Sequence, residues 1–393
     1  MDEYHIIADD KMNVVKRNIE RIKVAVLIHL FYEDQIVLYQ EYIKKIPAFI
    51  DIIIISSKDT ILEMFDNTFI KIKKINRGRD ISALLVAAGE VIFEYEYICF
   101  VHDKKEKELK LKADTEYWVK NLWDNMLQSE AYVYNILDLL ANNDKLGMLA
   151  PLPPHGREFG TWLNRTWGPN YEKTKKLADE LAIRTEICRE CPPITYGTVF
   201  WAKTKALRKL FIKDWKYEDF PLEPMKNNGE INHAVERILQ YVVMDAGYET
   251  KIVLSSSFAA AFINKLHDEL NDLWEQMDLV VGIRSYEELE QYHSRIEKIK
   301  KFKNGCEDIY LYGIGRIGRR CLRICRILDI IPKGIIVTKP DKEQVVMEDI
   351  PVIGISELVS LNGAGIIISA GKGHREEMEN ELKKRGITSY IFF

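Results

Sequence analysis

The feature that most constrains this chain is a series of short apolar runs, each cut off by polar residues, alternating with helix-length segments. Val24-Ala25-Val26-Leu27-Ile28-His29 is the first run, residues 51–55 the second, residues 70–75 the third and Tyr97-Ile98-Cys99-Phe100-Val101 the fourth. Runs of this length without polar alternation suit strands covered on both faces. Between them lie Ile36, Leu38, Tyr39 and Ile43 at helical spacing, stopping before Pro47, and a helical stretch over 81–93. Strand and helix in turn predict an α/β fold on a parallel sheet.

Ligands of such sheets bind beyond the carboxyl ends of the strands, and two of these ends are unusual. Asn76-Arg77-Gly78-Arg79-Asp80 follows the third run, and His102-Asp103-Lys104 follows the fourth. Gly78 permits a backbone that brings N–H groups toward a ligand, and Arg77 and Arg79 offer fork-shaped donors to phosphate oxygens. Asp80 would orient an arginine, bond a ribose or base, or cap the helix that starts at Ile81. His102-Asp103-Lys104 holds one carboxylate. Mg2+ or Mn2+ on Asp103 would neutralise a diphosphate leaving group, and Lys104 would do so in its place. His29 and Tyr32 at the first strand end and Ser56 at the second complete the expected contacts to a nucleotide-sugar donor. A satisfied core histidine is the competing reading of His29.

Further along, residues 116–141 predict a long helix, 146–150 a strand, 195–202 a strand, 205–211 a short helix, 231–246 an amphipathic helix and 250–254 a strand. The Pro/Gly/Trp-rich loop over 151–171 is too long for a simple connection. Trp162 and Trp167 within it are candidates for stacking on an acceptor sugar, with a place in the core as the alternative, and Trp201 after it is a further candidate for the acceptor sugar. Glu230, His233 and Arg237 share one helical face. A carboxylate at that helix N-terminus stays ionised beside the dipole and would act as general base. Asp219 is the competing base.

A length of 393 residues exceeds one ordinary core. The expected division is 1–260, a charge-rich helical connector over 261–304, and a small second α/β domain over 305–393. Gly313-Ile314-Gly315-Arg316-Ile317-Gly318 follows a strand and opens a helix there, the context of a nucleotide-binding turn. The next strand ends Val337-Thr338-Lys339, without an acidic residue for a ribose 2′-hydroxyl, so NAD is not expected.

A net charge of −4 gives no reason to expect nucleic acid as a partner. No apolar stretch approaches the ~20 residues that span a bilayer. Met1-Asp2-Glu3-Tyr4 lacks the basic-then-apolar order of a signal peptide, and six cysteines fit free thiols, so a cytoplasmic protein is expected. Cys188-Arg189-Glu190-Cys191 has the spacing of half a zinc site, with no second half beside it.

The succession His29-Leu30-Phe31-Tyr32, Asn76 to Asp80, Phe100 to Lys105, Leu146 to Pro151, Gly197 to Ala202 and His233-Ala234-Val235-Glu236-Arg237 resembles the rhamnan synthesis protein F family over about residues 22–255. The resemblance implies a bacterial hexosyltransferase of polysaccharide assembly with a Rossmann-related GT-A-like domain. It implies inverting transfer of a sugar, typically L-rhamnose from dTDP-L-rhamnose, to a cell-surface or lipid-linked glycan. Glu230 through Arg237, followed by Asp245-Ala246-Gly247-Tyr248, is also similar to a segment of inverting GT-A enzymes, a likeness in which Glu230 takes the place of the catalytic carboxylate. The implied setting is the inner membrane face, as a peripheral protein among other polysaccharide-assembly enzymes. A catalytically inactive nucleotide-sugar-binding or scaffold protein is the alternative. The Rossmann-like unit at the end lies outside the resemblance.

Overall fold

The computed structural model describes residues 4–105, 112–153, 167–190, 192–226, 228–339, 346–358 and 363–393. The chain forms two compact units, 1–263 and 264–393. The stretch read as a connector is helical, and all but its first residues cluster with the second unit.

The first unit is a mixed sheet between two helical layers. Its strands are β1 (Tyr4–Ile7), β2 (Val24–His29), β3 (Asp51–Ser56), β4 (Ile70–Lys73), β5 (Tyr97–His102), β6 (Leu146–Ala150), β7 (Phe200–Lys203) and β8 (Glu249–Ser255). They lie in the order β1-β8-β6-β7-β5-β2-β3-β4. β7 runs antiparallel to both β5 and β6, and the other pairings are parallel.

The helices are α1 (Lys16–Ile19), α2 (Ile36–Ile43), α3 (Asp59–Glu63), α4 (Arg79–Ser82), α5 (Lys112–Leu127), α6 (Glu130–Asn142), α7 (Tyr171–Glu180) and α8 (Ile231–Asp245). α2, α5 and α6 cover one face of the sheet with Tyr39, Trp123 and Leu137. α4, α7 and α8 cover the other with Ile81, Leu177 and Leu239. Burial on both faces is why the inner strands read as unbroken apolar runs.

Several elements differ from the sequence expectation for physical reasons. The single helix expected over 116–141 is two, because the Ser129 hydroxyl accepts the Tyr132 N–H and starts α6 anew. The helix expected over 81–93 is α4 followed by one widened turn, Ala83–Ala87, the kind of irregularity found near functional sites. The strand expected over 195–202 begins only at Phe200, because Gly197 takes a left-handed φ of 78°. β1 carries too few apolar residues to stand out and forms by pairing with β8.

The second unit holds α10 (Tyr286–Asn304), α11 (Arg316–Ile327) and α12 (Lys372–Lys384), with the helix α9 (Ser256–Val281) leading into it. Its strands are β9 (Asp308–Tyr312), β10 (Gly334–Val337), β11 (Val346–Met347), β12 (Ile350–Gly354), β13 (Ala364–Ile368) and β14 (Tyr390–Phe392), in the order β11-β12-β10-β9-β13-β14. All pairings are parallel except β11 with β12. Among the described residues, no helix is long and apolar enough to cross a membrane.

Candidate functional site

Side-chain alternation decides which way the strand ends point. In β2, Val26 and Ile28 pack on the α2/α5/α6 layer, Ala25 and Leu27 on the α4/α7/α8 layer, and His29 follows the second set. In β5, Cys99 and Val101 take the first layer, Ile98 and Phe100 the second, and His102 follows them. His29 and His102 are register partners. Two imidazoles therefore stand side by side at the carboxyl ends of adjacent strands. The strand order also reverses here, with β3 and β4 on one side of β2 and β5 on the other, the usual place for a ligand crevice.

The two rings have different surroundings. Neither nitrogen of buried His29 has a hydrogen-bond partner among the described residues. Burial, reinforced by Lys74, pushes its pKa down to about 3, so the ring is neutral near pH 7 and offers one donor and one acceptor. His102 Nδ1 lies 2.7 Å from Asp103 O, and Nε2 lies 2.6 Å from Gly197 O. Asp80 Oδ2 lies 3.8 Å from His102 Nε2. Burial raises the Asp80 carboxyl, but His102, His29 and Lys104 outweigh it and hold the group below its ordinary value.

The loop before α4 is shaped from beneath. Buried Lys74 donates to Ile75 O at 2.8 Å and Arg77 O at 3.3 Å. Its burial lowers the ammonium pKa to about 8, against the pull of Asp80 and Glu223. Gly78 takes φ 74°, and a Cβ there would lie 2.6 Å from Phe220 Cγ. Asn232 of α8 donates to Gly78 O at 2.7 Å. Loop, helix and Phe220 are locked together.

This packing redirects the arginines. Arg77 Nε donates to Phe220 O at 2.6 Å and Nη2 to Glu218 O at 3.1 Å. Arg79 donates to Met225 O at 3.3 Å and pairs with Glu223 at 3.4 Å. Both guanidinium groups clasp the loop over 217–225, where the sequence reading had them on phosphate. The donors expected to fork phosphate hold main-chain carbonyls 140 or so residues away in sequence. Asn76 is exposed beside them.

Asp103 also faces inward. Its Oδ2 accepts the Phe31 N–H at 2.6 Å and the Tyr32 N–H at 2.7 Å, closing the turn after β2. Burial raises this carboxyl while those two N–H groups oppose the rise. Among the described residues, no group of three or more His, Cys, Asp or Glu side chains is placed to hold a metal ion. Asp103 Oδ2 thus closes a turn, and both His102 nitrogens face carbonyls. Lys104 Nζ lies 3.5 Å from the Trp118 ring centroid, and its N–H donates to Tyr39 Oη at 3.2 Å.

α8 brings a carboxylate that the sequence reading left out of the site. Glu236 Oε2 accepts the Gly197 N–H at 3.2 Å, and Oε1 lies 3.2 Å from Arg237 Nη1. Burial raises the Glu236 carboxyl, with Asp80 adding to the rise and Arg237 and Lys104 opposing it. Two neighbouring carboxyls are thus pushed in opposite directions, a pattern that marks acid–base sites. The signal available in the sequence was its place one turn after His233. Glu230 itself sits just before α8, with Lys173 Nζ 3.8 Å from its Oε2 and its N–H on His233 Nδ1 at 3.2 Å.

The remaining candidates are placed elsewhere. Ser56 is fully buried and its hydroxyl donates to Leu30 O at 2.7 Å, tying two strand ends together. Trp201 is fully buried in the core with its indole N–H on Met126 O, so it is not presented to an acceptor. Trp167 stacks on Tyr241 and donates to Cys188 O, which places it in the core as well. Trp162 and Cys191 lie outside the described residues. The Asp219 carboxylate accepts the Lys216 N–H at 2.8 Å and lies 3.5 Å from Lys213 Nζ, inside the clasped loop.

In the second unit the glycine turn packs tightly. A Cβ on Gly318 would lie 2.1 Å from Gly313 O, and one on Gly313 2.7 Å from Ser369 O. A Cβ on Gly315 would meet nothing within 4 Å. The first and third glycines thus serve the strand–helix contact, and the second leaves an open approach to the start of α11.

A family model described as rhamnan synthesis protein F matches residues 3–248, almost the whole of the first unit and over half of the chain. No curated protein matches the chain.

Proposed function

The chain belongs to the rhamnan synthesis protein F family, and we propose that it is a glycosyltransferase that moves a sugar from a nucleoside-diphosphate donor to a growing glycan. The observation that supports this most is the cluster of His29, Asp80, His102, Lys104 and Glu236 at the switch point of the first sheet. The donor is a deoxysugar nucleotide such as dTDP-L-rhamnose, held in GT-A-like fashion across the ends of β2, β3 and β5. The acceptor is a cell-surface or lipid-linked glycan, which brings the protein to the inner membrane face and beside other assembly enzymes.

The reaction is a single displacement with inversion. The acceptor hydroxyl attacks the anomeric carbon, its proton passes to a carboxylate, and the C–O bond to the diphosphate breaks. Glu230 is the better base of the two carboxylates. Asp219 closes its own turn and faces Lys213, whereas Glu230 stands at the start of a 15-residue helix whose dipole favours its charge. Lys104 steadies the negative charge gathering on the diphosphate. His29 supplies a neutral donor–acceptor pair to the polar part of the donor.

The test is release of nucleoside diphosphate from dTDP-L-rhamnose in the presence of a rhamnan-type acceptor, with Glu230→Gln and Asp219→Asn alongside. Full turnover in both variants would remove this mechanism. Donor binding by calorimetry without turnover on any acceptor would favour a donor-binding scaffold, a reading that the inward-facing Asp103 supports.

A further inference from the structure

α9 carries a pattern that the cores of the two units do not use. Ile263, Leu266, Leu270, Leu273, Met277 and Val280 recur at alternating steps of three and four along one helix. Four of the six are open to solvent: Ile263 is 59% exposed, Leu270 47%, Leu273 53% and Val280 54%. The mean step of about 3.5 residues keeps such a stripe facing a second helix wound alongside it.

The polar residues are distributed to match. Asp268, Asp272, Glu275 and Asp278 lie on the far side of the helix from the stripe. Its flanks carry His267, Trp274 and Val281 on one edge and Glu269 and Gln276 on the other. With one acid along both flanks, two copies meet without a ladder of like charges. A lipid surface is a poor occupant. Membrane-lying helices carry lysine and arginine on the polar face, whereas this face holds four acids beside one lysine, Lys265, with Asn264, Asn271 and exposed Leu279 among them.

We propose that the α9 stripe is a self-association surface, occupied by the same stripe of a second copy of this chain paired about a two-fold axis. A two-fold contact uses one patch twice, so a self-complementary apolar stripe is what it needs. The pairing extends over about three heptads, fewer than a long coiled coil, so it responds to protein concentration.

The experiment is sedimentation velocity of the full chain over a concentration series. The mass is expected to rise from one chain to two, and a Leu270→Glu/Leu273→Glu double variant is expected to stay monomeric with an unchanged circular dichroism spectrum. A second readout does not depend on that variant folding. Leu273→Cys should give an interchain disulfide under mild oxidation, above the level seen with the parent chain. A wild-type chain that is monomeric throughout, a dimer unaffected by the double variant, or absence of the cross-link overturns the proposal. So does a monomer that binds anionic phospholipid vesicles through the same two leucines.

Discussion

His102 and Glu236, one ending a strand and the other within a helix, grip the main chain of the same residue: the imidazole lies 2.6 Å from Gly197 O, and the carboxylate accepts the Gly197 N–H at 3.2 Å. β5 and α8 are thereby joined through a residue that belongs to neither.

Gly197→Ala strains this joint. The residue holds φ 78°, and its new Cβ would lie 3.1 Å from Leu122 Cδ1. A left-handed alanine costs about 1–2 kcal/mol, so urea denaturation should show a loss of about that size. Glycosyl transfer should fall as well, because His102 and Glu236 lose their common anchor.

Glu236 is separable by shape and charge. Glu236→Gln keeps an acceptor for the Gly197 N–H and should leave stability within about 1 kcal/mol of wild type, whereas Glu236→Leu leaves that N–H unpaired at about 1–3 kcal/mol. Denaturation curves of the two variants at one pH decide this. Equal stability would mean that the carboxylate is not the anchor described.

His29 makes the protein acid-sensitive. Its folded pKa of about 3 lies below the ordinary histidine value of 6.5. Between those values the unfolded chain binds the proton and the folded chain does not, so stability rises with pH across the window. The contribution is fully present above the unfolded pKa and declines as pH falls toward 3. Lowering the pH from 7 to 5 should cost about 2 kcal/mol from this group, at about 1.4 kcal/mol per pH unit. His29→Gln should shrink that difference in matched urea titrations.

Arg77→Ala distinguishes a clamp from a phosphate ligand. Loss of hydrogen bonds from a charged donor costs about 1.5–3 kcal/mol, and limited proteolysis within 217–225 should quicken. Calorimetric affinity for a nucleoside diphosphate should hold nearly constant. A large loss of affinity with unchanged proteolysis would return Arg77 to the role read from its sequence context.

Gly78→Ala drives a methyl group into Phe220, whose Cγ would lie at 2.6 Å. The left-handed backbone and the overpacking together should cost about 3 kcal/mol. Added Phe220→Ala should recover part of that loss, and a double-mutant cycle of thermal unfolding would read the coupling.

The α/β alternation was plain in the sequence because strands buried on both faces leave long apolar runs, and the strand ends at His29 and His102 were visible as the places where those runs stop. The partners of those ends were not. Gly197 and Glu236 are separated by 39 residues, and nothing local ties a helix carboxylate to a main-chain N–H that distant. Arg77 has the residue type and loop context of a phosphate ligand. Its actual use depends on where a loop some 140 residues later comes to rest. Trp201 was misplaced for a similar reason, since its chemistry suits sugar stacking equally well until β7 is known to lie inside the sheet.

The pairing of Tyr4 with Ile252 bears on how the first unit is made. Residues 4–7 emerge from the ribosome long before their hydrogen-bonding partners at 252–255 have been synthesised. The edge of the sheet therefore waits through most of the translation of this unit, and Asp9, which takes hydrogen bonds from Ser256 and Ser257, waits with it. So distant a closure pays its loop entropy late. Docking of the first strand therefore cannot precede synthesis of residues 252–255.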